Sequence, residues 1–325
     1  MGEALERVVF FGTPDFALPT LEALVASGRA PAAVVSQPAR PAGRGRRLEE
    51  PPVARRARAL GLPLLQPERV CAEPFLAELA AFQPQVAVVV AFGQIFPRAL
   101  LELPAHGCIN LHASLLPRWR GAAPIQAAIA AGDRTTGVTT MQIEEGLDAG
   151  PILLQEELAI GAEETAGALG ARLAERGAAL VVRTLAALEA GALAPAPQCE
   201  EEATYAPRLT RASGRADWTL AAPALFDRLR AYTPWPGLWA TLREEPVKLV
   251  AARPLDEVPP LLDAASPRRG APPGTVLGLA GGRLAVACGG GTALGLETLQ
   301  RPGRRALAAA AFAHGERLRP GERLA

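Results

Sequence analysis

The sequence predicts a mixed α/β protein, with a mostly parallel sheet in its N-terminal part and a small antiparallel barrel in its C-terminal part. Over the first 190 residues, apolar runs typical of buried strands alternate with helical patterns, and such alternation produces parallel sheets with right-handed crossovers. A Pro-rich change of composition follows, and then short apolar runs separated by Gly-rich turns. We therefore expect one domain at 1–190, a linker at 191–209 and a second domain at 210–325.

The elements of the first part follow from the spacing of apolar residues in chain order. Predicted strands cover 8–12, 32–36, 63–65, 86–90, 108–112, 137–143 and 151–159, and predicted helices cover 16–27, 51–60, 73–82, 123–131 and 164–190. Residues 37–47 are too rich in Pro and Gly for regular structure, so we expect a loop there.

The second part begins after an extended spacer at 192–198, where Pro195 and Pro197 lie among alanines. One helix is predicted at 222–232. Five short strands are predicted at 238–242, 247–251, 274–279, 283–287 and 293–299, a number that suits a small barrel.

The charge is unevenly divided, although the chain of 325 residues carries a net charge of only +1. From residue 203 onward there are 17 basic and 10 acidic side chains, whereas the preceding residues carry 17 basic and 23 acidic ones. A basic C-terminal part favours a polyanionic partner, although a solvated basic face would give the same count. The four scattered cysteines and three histidines show no zinc-ligand spacing, so no metal is expected. No signal peptide or membrane-spanning run is visible, which predicts a cytoplasmic protein without a membrane partner, and nothing demands more than a monomer.

A polar pair at the end of a predicted strand is the first candidate site. Asn110 and His112 project to one face because strand side chains alternate, and the strand breaks directly after them. Ligands of open α/β sheets bind at the carboxyl ends of strands. Asp148, in an irregular loop, could orient His112, and the Gly-bearing turn at 91–94 offers a second strand end. The alternative is a strand end whose polar groups are satisfied locally.

Two other functions, dinucleotide binding and serine hydrolysis, are not supported by the sequence. The turn after the first strand lacks the G-x-G-x-x-G fingerprint of dinucleotide binding. Ser114 is not accompanied by a G-x-S-x-G elbow, which argues against a serine hydrolase. The predicted loop at 37–47 instead carries four arginines, Arg40, Arg44, Arg46 and Arg47, which could bind phosphates or could simply be solvated.

Motifs along nearly the whole chain point to one family. They are Phe11-Gly-Thr-Pro-Asp-Phe16, Ser36-Gln-Pro-Ala-Arg-Pro-Ala-Gly-Arg-Gly45, Ala91-Phe-Gly93, Cys108-Ile-Asn-Leu-His112, Ser114-Leu-Leu-Pro-Arg-Trp-Arg-Gly-Ala-Ala-Pro-Ile-Gln126, Gly146-Leu-Asp-Ala-Gly150, Arg215-Ala-Asp-Trp218, Arg230-Ala-Tyr-Thr-Pro-Trp-Pro-Gly237 and Leu299-Gln-Arg-Pro-Gly303. With these motifs the chain resembles the methionyl-tRNA formyltransferases, a branch of the folate-dependent formyltransferases. The resemblance implies a Rossmann-like N-terminal domain and an OB-like C-terminal domain that binds tRNA.

The resemblance also implies a reaction, namely transfer of the formyl group of 10-formyltetrahydrofolate to the α-amine of methionyl-initiator tRNA. Asn110, His112 and Asp148 would then be catalytic. The predicted folate contacts are Ala91, Phe92, Gly93, Ser114, Leu115, Leu116 and Pro117. The predicted tRNA contacts are Arg40, Arg44, Arg46, Arg47, Arg301, Arg304 and Arg305.

Two rival functions remain open on the sequence alone. A formyltransferase acting on a sugar-nucleotide amine would share both domains in outline, but the basic loop and the basic character of the barrel argue against it. A non-catalytic RNA-binding protein on the same scaffold would have no chemical need for Asn110, His112 and Asp148 together.

Overall fold

The structure, a computed structural model, describes residues 4–42, 47–259 and 271–325, and these residues form two compact units. The first unit comprises the residues up to Pro124 together with Thr135–Ala159 and Ala168–Ala206. The second comprises Ile125–Arg134, Ile160–Gly167 and the residues from Pro207 onward.

Most of the regular structure before residue 207 is built around one sheet. The strands are β1 (Val8–Gly12), β2 (Ala33–Val35), β3 (Arg40–Ala42), β4 (Arg47–Glu49), β5 (Leu64–Leu65), β6 (Val86–Val90), β7 (Cys108–His112), β8 (Arg120–Gly121), β9 (Thr135–Gln142), β10 (Ile152–Ala159) and β11 (Tyr205–Ala206). The helices are α1 (Leu18–Ala26), α2 (Pro52–Ala59), α3 (Glu73–Ala80), α4 (Arg98–Leu101), α5 (Pro124–Ala130) and α6 (Ala166–Glu189), with 3-10 turns at Asp15–Ala17 and Glu200–Glu202.

The central sheet has seven strands in the order β10-β9-β7-β6-β1-β2-β5. Five of them, from β5 to β7, run parallel, and β9 and β10 extend the sheet antiparallel to their neighbours. The prediction of a mostly parallel sheet is therefore confirmed. After β1 the chain adds β2 and β5 on one side of β1, and then adds β6, β7, β9 and β10 on the other side. The direction of winding therefore reverses between β1 and β6. In open sheets such a reversal opens a crevice at the carboxyl ends of the strands.

An aromatic cluster fills the core beneath that crevice. The rings of Phe11, Phe92 and Phe96 pack with centroids 4.9–6.0 Å apart, mostly edge to face. Cys108, at the start of β7, belongs to the same buried core. Burial raises the pKa of its thiol to about 12, so Cys108 remains protonated and packs as a small apolar side chain.

The second unit contains an antiparallel sheet. Its elements are α7 (Ala222–Ala231), β12 (Leu238–Leu242), β13 (Glu245–Pro254), β14 (Val276–Ala280), β15 (Arg283–Ala287), β16 (Ala293–Gln300), β17 (Leu307–Ala308) and α8 (Ala309–Glu316), with 3-10 turns at Ala212–Gly214 and Gly289–Gly291. The strand order is β12-β13-β16-β15-β14, with β17 paired to β16. Residues 321–325 bridge both edge strands, because Leu324 pairs with Leu242 of β12 and Arg323 pairs with Thr275 just before β14. These last residues close the sheet toward a barrel.

Several elements differ from the expected ones. The predicted loop at 37–47 includes all of β3 and the first residue of β4, which pair with each other antiparallel so that Pro41 faces Leu48. The expectation of no regular structure there was wrong, since a proline is tolerated in an isolated two-stranded ribbon with no third strand to satisfy. The sequence patterns also missed α4, α8 and the short pair β8–β11, which are all brief or rich in alanine. Among the described residues, no helix combines the length and the apolar composition that a membrane span requires.

Candidate active site

The strand β7 brings the predicted polar pair to the carboxyl end of the sheet. It lies between β6, with Val89 opposite Asn110, and β9, with Thr139 opposite His112. Asn110 is half-buried, whereas the His112 side chain is 6% exposed. Both side chains stand on the same face of the strand because they are two residues apart.

The ring of His112 is held by the turn that follows it. Its Nε2 atom lies 2.8 Å from the carbonyl oxygen of Trp119. A carbonyl only accepts hydrogen bonds, so Nε2 carries the hydrogen and, in the neutral ring, Nδ1 is the unprotonated nitrogen. This Nδ1 atom lies 3.7 Å from Oδ2 of Asp148. The structure therefore brings the two predicted residues together, but at a distance too long for a direct hydrogen bond.

Asp148 is held in place by backbone contacts. Its Oδ2 atom accepts a hydrogen bond from the backbone nitrogen of Gly121 at 2.7 Å. Its own φ is +49°, a left-handed conformation that Asp adopts more readily than most residues. The side chain is 18% exposed, so the carboxylate is reachable from solvent while remaining fixed.

The turn from Ser114 to Pro117 is mostly an internal support. The Ser114 hydroxyl is fully buried and donates to the carbonyl of Arg118 at 2.6 Å. Thr139 donates to the carbonyl of Ser114 and accepts from the backbone nitrogen of Leu116, which is itself buried. Gln155 donates to the carbonyl of Leu116 at 2.9 Å. Only Leu115 and Pro117 of the four predicted folate contacts keep partly exposed side chains.

The turn after β6 is also held from within. The Phe92 ring is buried in the aromatic cluster, and its carbonyl accepts hydrogen bonds from Gln37 Nε2 at 2.8 Å and Thr13 Oγ1 at 3.2 Å. Phe92 therefore anchors the turn, and because its ring is buried and its carbonyl oxygen already accepts two hydrogen bonds, it offers little surface to a ligand. Ala91 and Gly93, on either side, are exposed and have φ values of +47° and +85°.

The predicted RNA-contacting arginines other than Arg301 fall into three groups. Arg40 is exposed, with Glu68 at 3.9 Å. Arg44 and Arg46 lie outside the described residues, as does the side chain of Arg47. Arg304 and Arg305 are exposed in the turn after β16.

Arg301 differs from the other arginines because it is already occupied within its own unit. Its Nε and Nη2 atoms donate to the two oxygens of the Glu316 carboxylate, at 2.9 and 2.8 Å, and its side chain is 15% exposed. The hydrogen bonds to Glu316 raise the pKa of Arg301. These contacts favour a structural role for Arg301 over the predicted contact with tRNA.

A second group of polar residues near Asp148 escaped the sequence patterns. Arg120 is 1% exposed and donates to Gln198 at 3.0 Å and to both oxygens of Glu200 at 2.8 and 2.9 Å. Gln198 in turn donates to the carbonyl of Asp148. Gln198 and Glu200 lie about 80 residues from Arg120 in sequence, so no local spacing could have indicated them.

No group of His, Cys, Asp and Glu side chains within the described part of the chain is arranged to hold a metal ion. The polar groups at the end of β7 offer instead an amide, an imidazole and a carboxylate. Such a set can donate hydrogen bonds to a developing oxyanion and accept a proton from an attacking amine.

Comparison with known proteins places this arrangement in context. The model of the family described as formyl transferase matches residues 6–185, and that of its C-terminal domain matches residues 208–317. The chain is 49% identical over 318 residues to a methionyl-tRNA formyltransferase of Ruegeria pomeroyi, covering 98% of this chain and all of that protein. It is 48% identical over 311 residues to a methionyl-tRNA formyltransferase of Anaeromyxobacter dehalogenans, covering 96% and 97% of the two chains.

A solved structure shows the same fold at much lower sequence identity. It is that of WlaRD, a sugar 3N-formyl transferase crystallised in the presence of dTDP and 5-N-formyl-THF. The TM-score is 0.64 at 13% identity, over 93% of this chain and 100% of that one. Because two family models match most of its length and relatives nearly half identical to it align almost from end to end, the chain belongs to the formyl transferase family.

Proposed function

We propose that this formyltransferase moves the formyl group of 10-formyltetrahydrofolate to the α-amine of methionyl-initiator tRNA. The observation that carries the proposal is that Asp148 lies 3.7 Å from His112, on the strand that also carries Asn110, in a chain whose relatives at 48–49% identity are named methionyl-tRNA formyltransferases. The sugar 3N-formyl transferase is only 13% identical, so a sugar-nucleotide substrate is not favoured.

The reaction poses three chemical problems. The attacking amine must be neutral, and an α-amine with a reference pKa of about 7.7–8.0 is partly neutral near pH 7. The formyl carbonyl becomes an oxyanion in the tetrahedral intermediate, which requires donors already in place. A proton must then leave the new amide nitrogen, while N10 of the folate gains one as the leaving group.

Asn110 is suited to stabilise the oxyanion. Its amide group donates hydrogen bonds without a proton that could be lost to the intermediate. The residue is half-buried near the carboxyl end of β7, where pairing with strands on both sides fixes its backbone. A rigid donor requires little reorganisation when charge develops.

His112 and Asp148 are suited to take the proton. With Nε2 bonded to the Trp119 carbonyl, Nδ1 is the nitrogen left to act as a base, and it faces the Asp148 carboxylate. Nδ1 of His112 and Oδ2 of Asp148 are 3.7 Å apart, so one amine or water molecule can donate hydrogen bonds to both atoms. Asp148 then stabilises the imidazolium once Nδ1 has received the proton.

The folate co-substrate would bind along the crevice between the ends of β1 and β6. Ala91 and Gly93 expose backbone groups there, and Leu115 and Pro117 offer partly exposed apolar surface beside β7. Phe92, Ser114 and Leu116 would act from beneath, by holding these two turns in shape.

Recognition of tRNA would be shared by both parts of the chain. Residues 40–47 form a segment that we call the basic hairpin loop, in which the structure describes the side chain of Arg40. Together with Arg44, Arg46 and Arg47, Arg40 would contact the acceptor end of the tRNA through phosphates or an unpaired base. Arg304 and Arg305 would supply phosphate contacts that position the tRNA without choosing it. We keep the division into a catalytic part at 1–190 and a tRNA-binding part at 210–325 as part of this proposal.

One assay tests the function directly. The protein is incubated with 10-formyltetrahydrofolate labelled in the formyl group and with methionyl-initiator tRNA, uncharged tRNA or a UDP-amino sugar. We expect label to enter only the charged tRNA. Transfer to the amino sugar in its place, or no transfer to any acceptor, would contradict the proposal.

A further inference from the structure

The side chain of Gln198 connects the Asp148 loop to a buried arginine. Its Nε2 atom donates to the carbonyl oxygens of Asp148 and Gly150, both at 2.8 Å. Its Oε1 atom accepts from Nε of Arg120 at 3.0 Å. Both hydrogens of the amide are therefore directed at the backbone that carries Asp148.

The orientation of this amide is determined by its partners. Backbone carbonyls only accept hydrogen bonds, and a guanidinium only donates them. If the Gln198 amide were turned over, its oxygen would face the carbonyl oxygens of Asp148 and Gly150. Its NH2 group would then face the guanidinium of Arg120, which offers no acceptor. The end of the side chain thus has one orientation that satisfies all three partners.

Arg120 provides a rigid anchor for Gln198. It is 1% exposed, and the Glu200 carboxylate balances its buried charge at 2.8 Å. Its backbone belongs to β8, which pairs in parallel with β11 and places Arg120 opposite Tyr205. A buried arginine bound at both its backbone and its head group has little freedom to move.

The loop that accepts these hydrogen bonds has a constrained backbone. Asp148 has a φ of +49°, in the left-handed region that few residues with a side chain occupy. Gly150 passes so close to the carbonyl of Gln142 that a Cβ atom there would overlap it. Since the loop is tightly constrained, a change in the backbone at 148 would turn the carboxylate away from His112 and Gly121.

We infer that Gln198 is a positioning residue for the transfer reaction, held by Arg120 and acting through Asp148. The inference rests on the proposed function, because it assigns Gln198 a role in the step for which Asp148 is needed. Gln198 itself does not touch the reacting atoms. Its effect is to keep the carboxylate at the distance from His112 that proton transfer requires.

The most informative variant is Gln198→Glu. A carboxylate still pairs with Arg120, so the buried cation keeps its partner, but it cannot donate to the carbonyls of Asp148 and Gly150. We expect kcat for formyl transfer to methionyl-tRNA to fall about 10–100-fold, the usual scale for a residue that orients a reacting group. KM for both substrates should stay within about threefold of wild type, because neither binding surface is altered.

A double-mutant cycle with Asp148→Asn separates positioning from general support. If Gln198 acts through Asp148, Gln198→Glu should slow the Asp148→Asn enzyme by no more than about threefold. Additive losses in the cycle would overturn the inference, as would a Gln198→Glu enzyme with wild-type kcat or an Asp148→Asn enzyme with undiminished kcat. A wild-type enzyme that transfers nothing to methionyl-tRNA would instead contradict the proposed function.

The control is Gln85→Glu, the same exchange at another bridging amide, which is buried whereas Gln198 is half-buried. Gln85 accepts from the backbone nitrogens of Glu6 and Arg7 and donates to the carbonyl of Ala4, before β6 begins. Its variant should lose stability and keep kcat. Gln198→Met, uncharged and of similar length, repeats the test if Gln198→Glu folds poorly, with rates normalised to folded protein. A Gln198→Met enzyme that unfolds at lower temperature but retains kcat would also overturn the inference.

Discussion

The Nε2 atom of His112 and the carbonyl oxygen of Trp119 lie 2.8 Å apart, a contact that fixes which ring nitrogen carries the hydrogen. It joins the last residue of β7 to the turn that leads into β8. The consequence is chemical, since the nitrogen left without a hydrogen in the neutral ring is the one facing Asp148.

The substitution His112→Gln tests this assignment. The glutamine amide can reproduce the Nε2 donor to Trp119, but it offers no basic nitrogen toward Asp148. We expect thermal stability close to wild type and a loss of kcat of about 10²–10⁴-fold, the scale of a missing general base. Thermal unfolding and single-turnover formyl transfer measure the two effects. Turnover near wild type would show that Nδ1 takes no part in the reaction.

Replacing Asn110 by alanine removes the proposed oxyanion donor. A single lost donor of this type lowers turnover by about 10²–10³-fold, because the hydrogen bond is strongest in the transition state. The expected result is a fall in kcat with little change in KM for folate or tRNA, measured by steady-state kinetics. A kcat within a few-fold of wild type would exclude that role.

Gly121 combines a backbone role with a role in holding Asp148. Its φ is +112°, and a Cβ atom would lie 2.7 Å from the carbonyl oxygen of Ala206 in the facing strand. We expect Gly121→Ala to cost about 2 kcal/mol or more in the free energy of unfolding and to reduce kcat, since its nitrogen holds the Asp148 carboxylate.

The control for this substitution is Gly191→Ala. Gly191 also has a positive φ, +62°, but a Cβ atom added there would meet no atom of the described residues within 4 Å beyond its chain neighbours. Only the backbone strain of about 1 kcal/mol therefore applies. Chemical denaturation should rank Gly121→Ala as the less stable variant, and only Gly121→Ala should lose activity. Equal losses of stability would show that the contact with Ala206 relaxes freely.

The sequence could predict the parts of this site that depend on local interactions, but not the parts that depend on contacts between residues distant in sequence. Asn110 and His112 were predictable because two-residue alternation in a strand is a local property, and β7 was found with its predicted bounds. The proximity of Asp148 was expected, but its 3.7 Å separation from His112 and its left-handed backbone were not, since contacts with Gly121 and Gln198, both distant in sequence, hold this residue. Motif spacing carries no information about distances of this kind.

The network around Arg120 shows the limit most clearly. In sequence, Arg120 is one more arginine in a basic motif, yet it is buried and paired with Glu200. The segment at 192–198 has the composition of a Pro-rich spacer, yet Ala196 pairs with Ile152 and Gln198 reaches the Asp148 loop. Composition indicates that a segment is extended, but it does not indicate which strand edge that segment will meet.

Arg301 and Arg304 allow a direct comparison of a structural arginine with an exposed one. Arg301→Ala leaves the Glu316 carboxylate without its partner and should cost about 1–3 kcal/mol of folding free energy. Arg304→Ala should leave stability unchanged but reduce the slope of log K for tRNA binding against log salt by about one. Binding titrations at several salt concentrations test the second effect. An unchanged salt slope for Arg304→Ala would remove that residue from the tRNA interface.

The basic hairpin loop is tested by replacing Arg40, Arg44, Arg46 and Arg47 together with alanine. These arginines are proposed to contact the acceptor end of the tRNA and not the folate, so KM for methionyl-tRNA should rise far more than KM for 10-formyltetrahydrofolate. Arg55→Ala, at an exposed position on α2, controls for the loss of one surface charge and is compared with Arg40→Ala alone. Because Arg40 is exposed and 3.9 Å from Glu68, its removal should not lower stability measurably. Equal increases in both KM values would contradict a role for the loop in recognising tRNA.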